Sequence, residues 1–465
     1  MTYQGLDSWK QTETFDSLRD SALANVWFPF QQWNDVASDG GLRIITEGHG
    51  AKITDLEGKD YYDGFAGLVL VNVGYGREEI AKAVYDQIST LHYTSTFNYA
   101  TIPMIKLAEK VASITPGDLN RVFFTSGGSE AVETALKIAR QYHVLNGEPQ
   151  RTKFISRRGS YHGTSLGALS VNTAPWVKRE VFEPILANTV RVAPQPNPYR
   201  CEMGGKTPSE CAIKCADAME KIIIEEGPDT VAAVIGEPVS VSMGVAVPGD
   251  EYWPMVRRIC DKYGILLIAD EVINGFGRTG KMFATEHFDF IPDMMTVAKG
   301  ITSGYQPVGA CITREHVMKP FVGGASESFQ HGYTYGGHPA GAAAGLVNIE
   351  ILEREDLLGN SARMGSYMLD RLTSLKEHPI VGDVRGLGLM CALELVKDKR
   401  TKEPLSEIPG ITAKLTNRLA DNGLLTRVSQ FLFVTPTLTV TKEEVDELVD
   451  IVTDGINYIE KDLGY

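Results

Sequence analysis

Four stretches of the sequence put residues capable of chemistry directly after short apolar runs. The first is Thr125-Ser126-Gly127-Gly128-Ser129-Glu130, which follows residues 121–125 (RVFFT) and precedes a helical pattern. Its two glycines permit close backbone approach, and a helix start offers free N–H groups at the positive end of the dipole, so the segment can cradle a phosphate. A tight turn with Ser129 capping the helix reads equally well. It is not a Walker loop, because no Gly-Lys-Ser/Thr follows at the required spacing. The second is Asp270-Glu271, after residues 265–269 (ILLIA). A carboxylate at the end of a buried strand is costly without a cationic partner, which could be a structural ion pair or the ring of a bound cofactor. The third is Lys299, after residues 294–297 (MMTV). Desolvation there would lower its pKa and free the amine to attack a carbonyl, although a lone lysine more often reaches out to solvent. The fourth is Tyr161-His162-Gly163, after residues 153–156 (KFIS), where an aromatic ring could stack on a flat ligand or simply pack.

The elements that must position these residues follow from periodicity. Further strand-like runs lie at 189–192 (TVRV) and 231–235 (VAAVI). Ala131, Ala135, Ile138, Ala139 and Tyr142 recur at helical spacing, as do Cys211, Cys215, Ala218, Met219 and Ile222. Alternating strands and helices predict an α/β chain with a largely parallel sheet covered on both faces, and such sheets bind ligands at the carboxyl ends of their strands. Residues 191–208, rich in Pro, Gly and Asn, read as a long surface loop. Residues 52–63 suggest a hairpin around Glu57-Gly58. The tail mixes strands (LMCALELV, FLFVTP) with a final helix from Lys442. Both ends together are expected to form a smaller α+β domain, giving a division into 1–64, 65–335 and 336–465. Gly275-Phe276-Gly277-Arg278-Thr279-Gly280 fits the dinucleotide fingerprint, but the segment after it is short and runs into Pro292, so it reads as a loop closure.

Composition narrows the function class. The chain has 465 residues with 43% hydrophobic and 22% charged, as in a globular protein, and its length suggests two domains. A formal charge of -14 argues against a nucleic-acid surface. Residues 1–20 are polar and lack the apolar core of a signal peptide, and no apolar run is long enough to span a bilayer. The six cysteines contain no Cys-x-x-Cys pair, so neither a disulfide framework nor a zinc site is suggested, and the cytoplasm is the default location.

Taken together, DGFAGLVLVNVGYG, FFTSGGSEAVETALKIAR, YHG, IGEP, LLIADEVINGFGRTG, AKGITSGYQPVGA and HGYTYGGHPAGAAA occur in the order of, and resemble, the class III aminotransferases of the fold-type I pyridoxal-phosphate superfamily. The resemblance runs from about Trp27 to the last helix, and the nearest branch is similar to the amine–pyruvate, or omega, aminotransferases. It implies pyridoxal 5'-phosphate as cofactor and transfer of an amino group from an amine to pyruvate or a similar keto acid by a ping-pong mechanism. Lys299 would then be the Schiff-base lysine and proton carrier, and Asp270 would pair with the ring nitrogen. Val272 and Tyr161 would sandwich the ring. Gly127, Gly128 and Ser129 would hold the phosphate. Glu237, in Gly236-Glu237-Pro238, would lie at the cofactor edge. Thr334 would reach the phosphate of a neighbouring subunit, which implies a homodimer, with dimer and tetramer both open. Arg427 would bind the substrate carboxylate with its planar fork. Phe30, Val69, Tyr161 and the partner chain's counterpart of Phe97 would line the amine pocket. Two departures bear on the amine: Val69 stands where aromatic-amine enzymes often carry tryptophan, and residues 239–244 (VSVSMG) replace a glycine-rich stretch. An aminomutase, epimerase or decarboxylase on the same fold is the competing reading.

Overall fold

Seven strands form the central sheet of the computed structural model, which describes residues 13–38 and 41–465; the first twelve positions of the polar opening lie outside them. The strands are β1 (Leu119–Thr125), β2 (Lys153–Arg157), β3 (Val190–Ala193), β4 (Val231–Gly236), β5 (Leu266–Asp270), β6 (Met294–Val297) and β7 (Gly309–Arg314). Their order is β1-β7-β6-β5-β4-β2-β3. The pairs between β3 and β6 are parallel, while β7 runs antiparallel to both β6 and β1. Every residue of β4, β5 and β6 is buried, which is why these strands read as unbroken apolar runs rather than as alternating ones.

Helices cover the sheet. The helix Gly128–Leu145 (α1) buries Ala131, Ala135, Ile138 and Ala139, as their spacing predicts. Pro208–Glu226 (α2) starts on a Thr207 cap with proline at its first position and buries Cys211, Cys215 and Met219.

The two chain ends meet in a small sheet. Ile45–His49, Lys52–Asp55 and Asp60–Asp63 form antiparallel neighbours, and Leu424–Leu425 adds in parallel to the last of them. A second small sheet pairs Cys391–Asp398 with Val381–Gly386, Glu403–Pro404 and Phe431–Val434. The chain closes with the amphipathic helix Lys442–Leu463, opened by a Thr441/Glu444 capping box.

Two sequence expectations need correction. The antiparallel strand β7 falls in a stretch the periodicity did not mark. Residues 191–208 do not form a plain surface loop either: the run begins in β3, residues 193–197 are buried, and Pro198–Arg200 makes a 3-10 turn. It is tied to the second small sheet by Arg200 on Glu394 and by Lys402 Nζ on the carbonyl of Tyr199.

The Gly275–Gly280 stretch opens no helix, in keeping with loop closure. Its Arg278 is fully buried and donates to the carbonyls of Leu389 and Pro436 and to Asn72 Oδ1, tying the stretch after β5 to segments far away in sequence on either side.

Candidate active site

Because β1, β2, β4, β5 and β6 run parallel, their carboxyl ends open on one side, and the segments singled out in the sequence converge there. A cavity of about 140 Å³ is lined by Gly128, Ser129, Tyr161, Glu237, Asp270, Val272 and Lys299, together with His162 and Gly163. Seven of the expected site residues thus share one cavity.

Lys299 follows β6 with φ of +50°, a left-handed conformation that is strained for a side chain with a Cβ. Its Nζ donates to the carbonyl of Leu68 at 2.8 Å. Burial depresses its pKa to about 8, with the carboxylates of Asp270 and Glu237 pulling the other way. The amine therefore keeps a substantial neutral fraction near neutral pH.

Asp270 is buried at the end of β5 and held from three directions. His162 Nδ1 lies 2.6 Å from Oδ2, while Thr296 Oγ1 and the Val272 N–H each donate to Oδ1 at 3.1 Å. His162 leaves its Nε2 buried without a partner in the chain. The adjacent Glu271 has a different role. It accepts from the N–H groups of Ala284 and Thr285 at 3.0 and 2.8 Å, anchoring the turn behind the site, and burial raises its pKa to about 7.

The phosphate-cradle reading and the capping reading of residues 125–130 can now be separated. Helix α1 begins at Gly128 with Gly127 as its cap residue and no side-chain cap. Ser129 Oγ instead accepts from the N–H of Thr164 at 3.1 Å. The first N–H groups of α1 are left for a ligand. The packing here requires glycine. A Cβ on Gly128 would stand 2.8 Å from Val272 Cγ1, and one on Gly163 would stand 2.3 Å from Ser129 Oγ.

Glu237 is buried beyond β4, its Oε1 accepting from the Tyr161 N–H and Ser240 and its Oε2 from the Val241 N–H. Burial raises its pKa.

At the mouth, an aromatic group joins residues far apart in sequence. Tyr161 stacks on Trp176 with centroids 5.0 Å apart, Phe30 meets Trp176 edge-on at 5.6 Å, and the Arg427 guanidinium lies 4.6 Å from the Trp176 ring centre. Among the described residues no carboxylate pairs with Arg427, so its fork is available to an anion. Val69 is buried with φ of +56°, next to the Leu68 carbonyl that receives Lys299.

Six expected residues do not line the cavity: Phe30 and Arg427 meet it through Trp176 and Tyr161, Val69 adjoins Leu68, and three stand further apart. Gly127 lies just before the cavity as the helix cap. Phe97 is 74% exposed, and Thr334 is exposed with its carbonyl accepting from Tyr93 Oη. Sequence reasoning missed Trp176, a single tryptophan in an irregular stretch, and gave His162 no role. The only signal for either was proximity to Tyr161.

The residues fit pyridoxal phosphate. An uncapped helix start beside closely packed glycines suits the phosphate, a triply held buried carboxylate suits a cationic ring nitrogen, and a desolvated amine suits the carbonyl.

The chain matches the family model for aminotransferase class-III over residues 34–456. It is 43% identical to a probable aminotransferase of Mycobacterium tuberculosis over 444 residues, covering 94% of this chain and 93% of that relative. The putrescine–pyruvate aminotransferase of Pseudomonas aeruginosa is 40% identical over 426 residues, covering 91% and 92%. Among solved structures, a thermostable (S)-enantioselective omega-transaminase from Thermomicrobium roseum aligns with a TM-score of 0.92 at 39% identity, covering 96% of this chain and 99% of that one. With the fold-type I architecture and a site that fits its cofactor, the chain belongs to the class III aminotransferases, which depend on pyridoxal phosphate.

Proposed function

We propose that this enzyme transfers an amino group from an amine, or an omega-amino compound, to pyruvate or a similar small keto acid in two half-reactions. The observation that carries the reading is Arg427: a guanidinium without an ion-pair partner among the described residues, set over Trp176, which stacks on the cavity residue Tyr161. A planar fork there can take both oxygens of a carboxylate, and the indole can support it when an apolar amine enters instead.

The residue roles follow from their chemistry. Gly127, Gly128 and Ser129 hold the phosphate at the start of α1, Val272 and Tyr161 bracket the ring, and Asp270 holds a proton on the ring nitrogen. Bound pyridoxal phosphate supplies an electron sink for the substrate carbon. The His162 and Thr296 bonds keep Asp270 oriented. Lys299, neutral in part because it is buried, would hold the cofactor and would carry the proton at the substrate carbon. Glu237, with its raised pKa, offers a protonatable group beside Tyr161. Phe30, Val69 and Tyr161 shape the amine pocket.

The enzyme is further read as a homodimer in which Thr334 and Phe97 serve the partner's site. Both are exposed in one chain, and Phe97 belongs to an exposed apolar stretch with Leu91, Tyr99, Ile102 and Ile105, a surface suited to a second copy. A cytoplasmic location goes with this reading. No helix among the described residues is long and apolar enough to cross a membrane. The test is a panel of amine donors with pyruvate as acceptor, followed by alanine formation. Alanine from at least one donor class is expected. No alanine, with the cofactor absorbance unchanged by every donor, would overturn the reading.

A further inference from the structure

Cys201, Cys211 and Cys215 are separated by nine and three residues, a spacing that gave no reason to expect a metal. The fold nonetheless brings their three sulfurs within 4.8 Å of one another, away from the cofactor cavity. Cys211 and Cys215 are buried one turn apart at the start of α2, with sulfurs 4.0 Å apart. Cys201 comes from the end of the 3-10 turn Pro198–Arg200 and is only half-buried. Two sulfurs bound to one zinc ion at about 2.3 Å stand roughly 3.8–4.0 Å apart, so closing the triangle needs only small movements.

Backbone donors face Cys201 Sγ. The Gly205 N–H donates to Cys201 Sγ at 3.2 Å, and the Met203 N–H also points at Cys201. Gly205 is confined to glycine by the helix, since a Cβ there would stand 2.5 Å from the Cys211 Cα. The same loop carries buried amide atoms without partners, both of Gln195 and Nδ2 of Asn197. The Cys215 S–H donates to the Gln195 carbonyl at 3.6 Å, a bond that metal binding would replace.

We propose that Cys201, Cys211 and Cys215 form a three-thiolate zinc site that clips the 194–207 loop to α2. On binding, three S–H protons pass to solvent, three Zn–S bonds form, and no atom changes oxidation state. A fourth ligand from solvent can enter beside half-buried Cys201. Because Tyr199 and Arg200 of this loop contact Lys402 and Glu394, the clip also braces the central domain against the second small sheet.

The test uses the holoenzyme, freed of metal with a chelator and then titrated with zinc(II) against a chromophoric competitor, or with cobalt(II) as a spectroscopic stand-in. One ion per chain is expected, with sulfur-to-cobalt charge transfer and tetrahedral ligand-field bands at wavelengths longer than those absorbed by the cofactor. Cys201→Ser, at the half-buried position, should lower zinc affinity by more than about tenfold while cofactor content and transamination stay unchanged. Cys211→Ser should abolish the cobalt spectrum. If that variant fails to fold, Cys201→Ser alone decides. A missing charge-transfer band, a band that survives Cys201→Ser unchanged, or a disulfide from Cys201 to either helix cysteine in protein that binds no zinc would each overturn the proposal.

Discussion

Replacing Arg427 with alanine should separate the two half-reactions. A bidentate bond between an arginine and a carboxylate contributes about 1.5–3 kcal/mol net. Against this stands the stacking on Trp176, at 4.6 Å from the ring centre, worth about 0.5 kcal/mol and partly lost when the guanidinium turns toward a carboxylate. The balance is about 1–2.5 kcal/mol, or roughly a 5- to 70-fold loss in kcat/KM for keto acid and for alanine. An apolar amine makes no use of the guanidinium, so its half-reaction should change less than about threefold. Stopped-flow absorbance of the cofactor measures each half-reaction by itself. Arg427→Lys should recover only part of the loss, since an ammonium lacks the planar fork. Equal damage to both half-reactions, or an undiminished rate with pyruvate, would refute the assignment of Arg427 as the carboxylate anchor.

Other outcomes follow from the same geometry. Gly128→Ala puts a Cβ 2.8 Å from Val272 Cγ1 and should weaken cofactor retention by about 1–3 kcal/mol, read by equilibrium dialysis. Asp270→Asn keeps a partner for Thr296 but removes the charge, so single-turnover transamination should fall by at least about 10²-fold while the cofactor still attaches. Recombination of cofactor-free enzyme with pyridoxal phosphate needs neutral Lys299, so its rate should rise roughly tenfold per pH unit below about 8 and level off above, followed by the return of colour. Glu271, raised to about 7 by burial, binds its proton more tightly folded than unfolded. Its contribution is therefore fully present below about pH 4.5 and is lost as pH rises through 7, a change on the order of 3 kcal/mol. Glu271→Gln should flatten the Tm-against-pH curve across that window.

The strands that carry the site were legible because burial on both faces leaves no room for polar residues, so β4, β5 and β6 appear as apolar runs with a functional residue just beyond each. Strand β7 was not, because packing against its neighbours calls for small residues: a Cβ on Gly309 would stand 2.7 Å from the Gly127 carbonyl oxygen. The 193–197 segment has a loop's composition, and it is buried by α2, which meets it at Cys215, and by a core that includes residues some 200 positions later. Trp176 shows the same limit. Nothing local distinguishes it, and its place is defined by Phe30, Tyr161 and Arg427, which only the finished fold brings together. His162 likewise takes its meaning from Asp270, across the sheet.

The parallel pairing of Asp60–Asp63 with Leu424–Leu425 also constrains the order in which the protein can be completed during synthesis. Tyr62 donates its N–H to the Gly423 carbonyl and Gly64 donates to Leu425, each at 2.8 Å. The Asp60–Asp63 strand therefore waits during synthesis, with one edge unpaired, until Leu424–Leu425, more than 350 residues later, has been made. The intervening domain can form its sheet in that time. An exposed strand edge is a template for pairing with another chain, so nascent chains carry an aggregation risk until Leu424–Leu425 emerges and covers that edge.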